Sequence, residues 1–272
     1  MPIQLYILVQ DERGEPVRGF RKEELTVFLD KQELPVLEVG PADTEPLTLG
    51  LVVDLSGSRR HEFPGGETAP AIELMRNLIT PGNRGFVMGF TDQLEYLSKP
   101  TNAIDQLKKA IEEVRWFGYK GSTAFYDALV EGSKLAATQQ TPRRALLAVS
   151  DCEDNASRHT LQATLEALLR SGLAVWVVQL YDSDDRRGTS KRAKIFEEFS
   201  ERTGGRLLQA QSTKEVAQAF DAILKGLRGQ LAVTIDTSSL PRDGKFHALR
   251  YQSPRQGLQF FAAPANLYAP KK

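Results

Sequence analysis

Two hydrophobic rhythms divide the chain. Between Leu47 and about Arg228, short unbroken apolar runs alternate with stretches whose apolar residues recur every three or four positions. The runs Leu49–Val53, Phe86–Phe90, Ala145–Val149 and Ala174–Leu180 have strand length, and unbroken apolarity at that length predicts strands covered on both faces, as in a parallel sheet. Between them, Ile104, Leu107, Ile111 and Val114 fall on one helical face. Leu161, Leu165, Leu168 and Leu169 do the same, as do Val216, Phe220, Ile223, Leu224 and Leu227. Thr91-Asp92 before Leu94–Leu97 predicts a hairpin and one antiparallel edge strand, and a further helix is expected to begin near Ala124. The pattern is that of a doubly wound, mostly parallel α/β sheet.

The flanks read differently. Ile3–Val9, Leu25–Leu29 and Leu34–Val39 are expected strands, with turns at Asp11–Gly14 and Asp30–Glu33 and a Pro-rich linker over Gly40–Pro46. After Gly229, strands are expected at Leu231–Ile235, Phe246–Tyr251 and Leu258–Ala262, with a turn at Arg242-Asp243-Gly244. Chain termini usually lie close together, so the two flanks are expected to pair into one small β-sandwich. The organisation expected is therefore 1–46 as an N-terminal β region, 47–228 as the α/β domain and 229–272 as a C-terminal β region pairing with the first.

Composition narrows the function classes. Lys+Arg and Asp+Glu both total 35 of 272 residues, which gives no gross charge bias toward nucleic acid or an anionic membrane. No apolar run approaches the ~20 residues of a membrane-spanning helix, so no membrane insertion is expected. Cys152 is the single cysteine, which excludes an internal disulfide and any zinc-thiolate pattern. No signal peptide is expected within the sequence, since Met1-Pro2 runs almost at once into Ile3–Val9. A mature secreted or periplasmic protein freed of its signal would look like this, and that localisation is the expectation.

The chemistry gathers on Val52-Val53-Asp54-Leu55-Ser56-Gly57-Ser58, a buried strand running into a loop with one carboxylate and two hydroxyls. In an open α/β sheet, ligands bind beyond the carboxyl ends of the strands where the strand order reverses. A second strand end presents Ser150-Asp151, and the loop Lys120-Gly121-Ser122-Thr123 enters the helix near Ala124. Oxygen groups alone, with no histidine or thiol, favour Mg²⁺, Mn²⁺ or Ca²⁺ over zinc.

Asp54-x-Ser56-x-Ser58, Thr123 in a Gly-Ser-Thr loop and Asp151 after a strand resemble the von Willebrand factor type A fold and match its metal-ion-dependent adhesion site at all five positions. The likeness covers about Leu47 to Arg228. With the flanking β pieces, Pro81-Gly82-Asn83-Arg84, Ser150–Ser157 and the closing Tyr268-Ala269-Pro270, the chain resembles bacterial von Willebrand factor A-related proteins typical of acidobacteria. The resemblance implies that Ser56 and Ser58 bind the cation, Mg²⁺ first, directly, that Thr123 binds it directly in a ligand-competent state, and that Asp54 and Asp151 act mainly through waters. An exposed coordination position is then completed by an Asp or Glu of a protein partner.

Two positions depart from the family pattern. Cys152 stands where a glycine usually follows the second aspartate, and a side chain there is expected to narrow the loop or change its backbone angles. The run Arg59–Gly66 holds helix breakers, so an irregular loop is expected there, with the helix beginning near Thr68–Ala71.

Other features have plainer readings. Of Trp116 and Phe117, beside Gly118-Tyr119, at least one is expected to pack inward, and the other is a candidate contact anchor on the rim. Asp182, Asp184 and Asp185 read as a solvated acidic loop, and His159 as a surface residue at a helix start capped by Ser157. No GxSxG, HExxH, GxxxxGK[ST] or GxGxxG motif occurs, and no histidine adjoins Ser56 on a neighbouring strand end. The expectation is a non-catalytic, metal-dependent, adhesion-type binding module. A metal-dependent hydrolase and a scaffold with a vestigial metal site are the alternatives.

Overall fold

The computed structural model of the chain describes residues 2–57, 65–117, 120–181, 186–241, 243–263 and 266–269, the side chains of 186–190 and 263 excepted. In chain order the elements are β1 (Pro2–Gln10), β2 (Thr26–Leu29), β3 (Gln32–Leu34), β4 (Val36–Pro41), β5 (Leu47–Asp54), α1 (Thr68–Leu78), β6 (Arg84–Phe90), β7 (Leu94–Thr101), α2 (Ile104–Val114), α3 (Phe125–Ala137) and β8 (Arg143–Ser150). There follow α4 (Leu161–Ser171), β9 (Ala174–Leu180), α5 (Arg186–Thr203), β10 (Leu207–Ala210), α6 (Thr213–Arg228), β11 (Leu231–Asp236), β12 (Phe246–Gln252), β13 (Gln259–Ala263) and β14 (Asn266–Tyr268).

The central sheet has the order β10-β9-β8-β5-β6-β7, parallel except for the antiparallel edge strand β7. Successive residues of each strand feed opposite faces. Leu49, Leu51, Val53, Leu147, Val149, Trp176 and Val178 pack with α1, α2 and α6 residues such as Met75, Ile111 and Ile223. Val52, Leu146, Ala148, Val175 and Val177 pack on the other side with Phe125, Leu129, Leu168, Phe196 and Phe199 from α3, α4 and α5. Every residue of β5 is buried, which is why its sequence shows no polar alternation. Gly50 interrupts the run because the Phe86 ring occupies the space a Cβ would need.

The flanks form two antiparallel sheets, β13-β1-β11-β4 and β14-β12-β2-β3, each combining N- and C-terminal strands. Leu5, Ile7, Val9, Val27, Leu29, Leu231, Val233, Ile235 and Leu249 fill the space between them. The opposite face of β1 is buried too, because Leu8 joins the α/β core and Tyr6 packs with Ala42 and Ala232. Arg143, 4% exposed, ties the two bodies together. It donates from Nη1 to the Ala42 carbonyl at 2.8 Å and from Nη2 to Gln230 Oε1 at 3.0 Å and to the Leu227 carbonyl at the end of α6.

Several expectations need correction. Leu34–Val39 is two strands in two different sheets, because Pro35 has no N–H for either ladder and marks the crossing point. The turn before it is only Asp30-Lys31, with Asp30 at φ 52, and Gln32-Glu33 already pair with β2. Gly40 and Pro41 belong to β4 rather than to the linker. Leu161 opens α4 but is 39% exposed, so it lies off the buried stripe. The apolar pattern of the α/β region shows neither α5 nor β10. The helix is largely charged and commits only Ile195, Phe196 and Phe199 to the core as large apolar groups, too few for a clear period.

Candidate functional site

Asp54 ends β5, and β6 and β8 flank it on either side, so it sits where the strand order reverses. Its carboxylate is fully buried and accepts from two directions. The Ser56 backbone N–H reaches Oδ1 at 2.9 Å, which folds the loop into an Asx turn, and the Ser150 hydroxyl reaches Oδ2 at 2.5 Å from the end of β8. Ser56 is buried as well, and Asp151 is 3% exposed. Asp151 makes the same kind of turn, with Oδ1 accepting from Glu153 N at 2.9 Å.

The Thr123 loop closes the third side. Lys120 N donates to the Leu55 carbonyl and Gly57 N to the Gly121 carbonyl, both at 3.2 Å, so this loop is paired by its backbone to the one carrying Ser56. Thr123, 2% exposed, is clasped to the loop after β8. Its N–H donates to Asn155 Oδ1 at 2.8 Å, and its carbonyl accepts from Asn155 N and Ala156 N at 3.0 Å each. Ala124 N donates to the Thr91 carbonyl at 2.8 Å, which fixes the loop to the β6–β7 hairpin as well. Four of the residues expected from the sequence (Asp54, Ser56, Thr123 and Asp151) thus stand on three loops at one sheet edge, the loops joined by direct hydrogen bonds. The fifth, Ser58, lies outside the described residues, as do Arg59–Pro64, Gly118-Tyr119, the acidic residues Asp182, Asp184 and Asp185, and Pro270.

Cys152 takes φ +63, the left-handed conformation that favours glycine. Its N–H donates to Ser150 Oγ at 2.9 Å, and its thiol is buried in the core beneath α3 and α4. The sulfur fills core space.

Sequence reasoning did not assign roles to Ser150 and Asn155. Ser150 bridges Asp54 and the Cys152 N–H, and Asn155 holds Thr123. Both contacts join segments far apart in the chain, so the only one-dimensional signal was a serine and an asparagine on either side of Asp151. At the rim Trp116 is 79% exposed, whereas Phe117 packs against the core, as expected for one of the pair. Ser157 does not cap α4. Thr160, immediately before Leu161, does so through Ala163 N, and the Ser157 hydroxyl accepts from Asp127 N in the first turn of α3. His159 is half-exposed at the surface, its Nδ1 2.6 Å from Asp127 Oδ1.

The donor set consists of hydroxyls and carboxylates, the hard oxygen chemistry that suits Mg²⁺, Mn²⁺ or Ca²⁺, and in these respects the residues fit a divalent cation. Among the described residues, no cluster of three or more His, Cys, Asp or Glu side chains is placed to hold a metal, so any cation here would depend on the hydroxyls. No described helix is long and apolar enough to cross a membrane.

No protein-family profile matches the chain, and no curated protein does. Solved structures match by shape. The pilus adhesin SpaC from Lactobacillus rhamnosus GG, in its open conformation, aligns over 83% of this chain and 44% of its own at 12% identity, TM-score 0.55. The PilB minor pilin from Streptococcus sanguinis aligns over 68% and 62% at 11% identity, TM-score 0.53. The vWF domain of the type V pili tip protein Mfa5 from Porphyromonas gingivalis aligns over 67% and 95% at 11% identity, TM-score 0.52. The chain thus spans less than two thirds of the minor pilin and less than half of the adhesin. At such identities the shared property is the fold, and it is the fold of a von Willebrand factor A domain, here with two antiparallel sheets attached.

Proposed function

We propose that the chain is a non-catalytic, adhesion-type protein-binding module that works through a divalent cation, Mg²⁺ first, acting outside the cytoplasm and akin to the bacterial von Willebrand factor A-related proteins. In this reading residues 47–228 form the binding domain, and 1–46 with 229–272 form its mount. The observation that carries it is the convergence of Asp54, Ser56, Thr123 and Asp151 on three hydrogen-bonded loops at the carboxyl edge of the sheet. Ser56, Ser58 and Thr123 would hold the ion by their hydroxyls, with Asp54 and Asp151 behind them. Bound there, the ion supplies positive charge with an open position for a partner's Asp or Glu. The protein's own contribution is orientation. Ser150 and the Ser56 N–H fix the Asp54 carboxylate, and Asn155 fixes Thr123, so the oxygens need little rearrangement on binding. The kinship in fold with pilus adhesins and a pilus tip domain supports the adhesion reading.

The test is a melting curve and a calorimetric titration with MgCl₂, MnCl₂ and CaCl₂. A specific site raises stability by about 2.7 kcal/mol at a hundredfold excess over its Kd. Ser56→Ala and Thr123→Ala should remove that response while leaving the circular dichroism unchanged. If none of the three ions gives heat or a melting shift in the unaltered protein, the proposal is wrong.

A further inference from the structure

The outer sheet of the sandwich contains a second cluster of ionisable groups, distant in the chain from the residues of the sheet edge. His247, the second residue of β12, has a side chain only 13% exposed and a carboxylate on each side of its ring. Nδ1 is 2.7 Å from Asp30 Oδ2, and Nε2 is 3.1 Å from Asp243 Oδ1. A neutral imidazole has one N–H and one lone pair, so it can serve only one of these carboxylates and turns a lone pair toward the other. The imidazolium donates to both. The geometry points to Asp30–His247–Asp243 as a pH-responsive clamp whose ring bonds both turns while it is protonated and gives up one of the two hydrogen bonds when it loses the proton.

The carboxylates are fixed independently of the ring. Asp30 sits in the β2–β3 turn at φ 52, donates its N–H to the Ala248 carbonyl at 2.8 Å and accepts the Ala248 N–H on Oδ1 at 3.0 Å. Asp243 accepts from Lys245 N at 3.0 Å, and that turn is tied to the last described residues through Gly244 N to the Ala269 carbonyl. Neither carboxylate therefore swings away easily when the ring changes state. Around the ring, β14 presents the apolar Leu267 as the partner of His247. Lys245 and Arg250 act on the two aspartates, and Arg170 of α4 lies over the nearby Phe246 and Tyr268 rings. Arg242 is outside the described residues.

The hydrogen bonds His247 makes to Asp30 and then to Asp243 raise its pKa above the ordinary 6.5, burial acting in the opposite sense. His247 in turn is the largest cause lowering both Asp30 and Asp243 below the ordinary 3.8. The sign follows. The histidine's contribution is complete below its unfolded value near 6.5 and is lost as pH rises through the raised folded value. The carboxylates' contribution is present above 3.8 and is lost as pH falls through their lowered values. The clamp is thus a window in pH, open at both ends.

An NMR titration of the three histidine rings, combined with melting curves from pH 4 to 9, tests it. His247 should titrate above 6.5, the Ala248 amide should shift with the same midpoint, and Asp243→Asn should move that midpoint down. The melting advantage of the unaltered protein over His247→Gln should shrink as pH rises through the midpoint. A His247 midpoint at or below 6.5 overturns the clamp, and so do melting profiles that run parallel at every pH. The Asp243→Asn arm keeps the inference testable if His247→Gln folds poorly. The outcome is independent of any cation response.

Discussion

The carboxyl edge of the central sheet and the turns of the sandwich both hold aspartates, yet treat them in opposite ways. At the edge, Asp54 and Asp151 are 0% and 3% exposed and are held by a hydroxyl and by backbone N–H groups. In the sandwich, acidic groups lie near the surface and meet cationic side chains, as in Glu24 with Arg255 and Asp30 with His247. Burial makes the difference. In a low-dielectric interior every partner matters, because water cannot replace it, so the edge is a rigid arrangement of oxygens. At the surface water competes for each pair, which leaves modest stability and a strong response to pH. The first arrangement suits a cation and the second suits a register pin.

The junction residue Arg143 offers the hardest test of this contrast, since it serves both bodies from a buried position. Arg143→Met should destabilise by about 2–6 kcal/mol in a denaturant melt, roughly 1–3 for each of the Ala42 and Leu227 carbonyls left without its donor. A loss under 1 kcal/mol would show that the two bodies are held by apolar contact alone.

Next comes Ser150, whose hydroxyl bridges Asp54 and Cys152. Ser150→Ala should cost about 1–3 kcal/mol and weaken the MgCl₂-induced melting shift. An unchanged shift would mean that Asp54 is oriented without the Ser150 hydroxyl. Cys152→Gly should be smaller, within about 1 kcal/mol of the parent, because relief of the left-handed backbone offsets the loss of a small buried side chain. A kept cation response would confirm that the loop needs the backbone angle and not the sulfur.

The smallest effect belongs to the half-buried pair of Glu24 with Arg255. The Arg21 backbone N–H, followed by the Arg255 side chain, lowers the Glu24 pKa from 4.5 to about 2. A lowered carboxylate stabilises above its unfolded pKa, so the advantage of the parent over Glu24→Gln should hold above 4.5 and vanish as pH falls through about 2. Melting curves at graded pH give the answer, and a difference that persists in acid would move the source of stability from charge to packing.

Much of the fold was legible for a physical reason. Strands covered on both faces must be apolar throughout, so β5, β6, β8 and β9 show themselves as unbroken runs. Helices packed on one side must repeat every three to four residues, as α2 and α6 do. What escaped had little apolar area to declare itself. The charged helix α5 and the four-residue strand β10 are the examples. The crossing of Pro35 between two sheets was equally hidden, since a proline there is compatible with a loop, an edge or a switch.

The candidate site divides along the same line. Residue types were determined locally: a strand end that delivers an aspartate and two serines, a Gly-Ser-Thr loop before a helix, and a second strand end with Ser150-Asp151. Their meeting was decided only by the tertiary structure, because it depends on β8 and β6 lying on either side of β5 and on hydrogen bonds between residues some thirty to a hundred positions apart. The His247 clamp is the stronger case. Asp30 and His247 are separated by 217 positions and carry no shared pattern, and it is the pairing of β2 with β12 that brings the carboxylate to the ring.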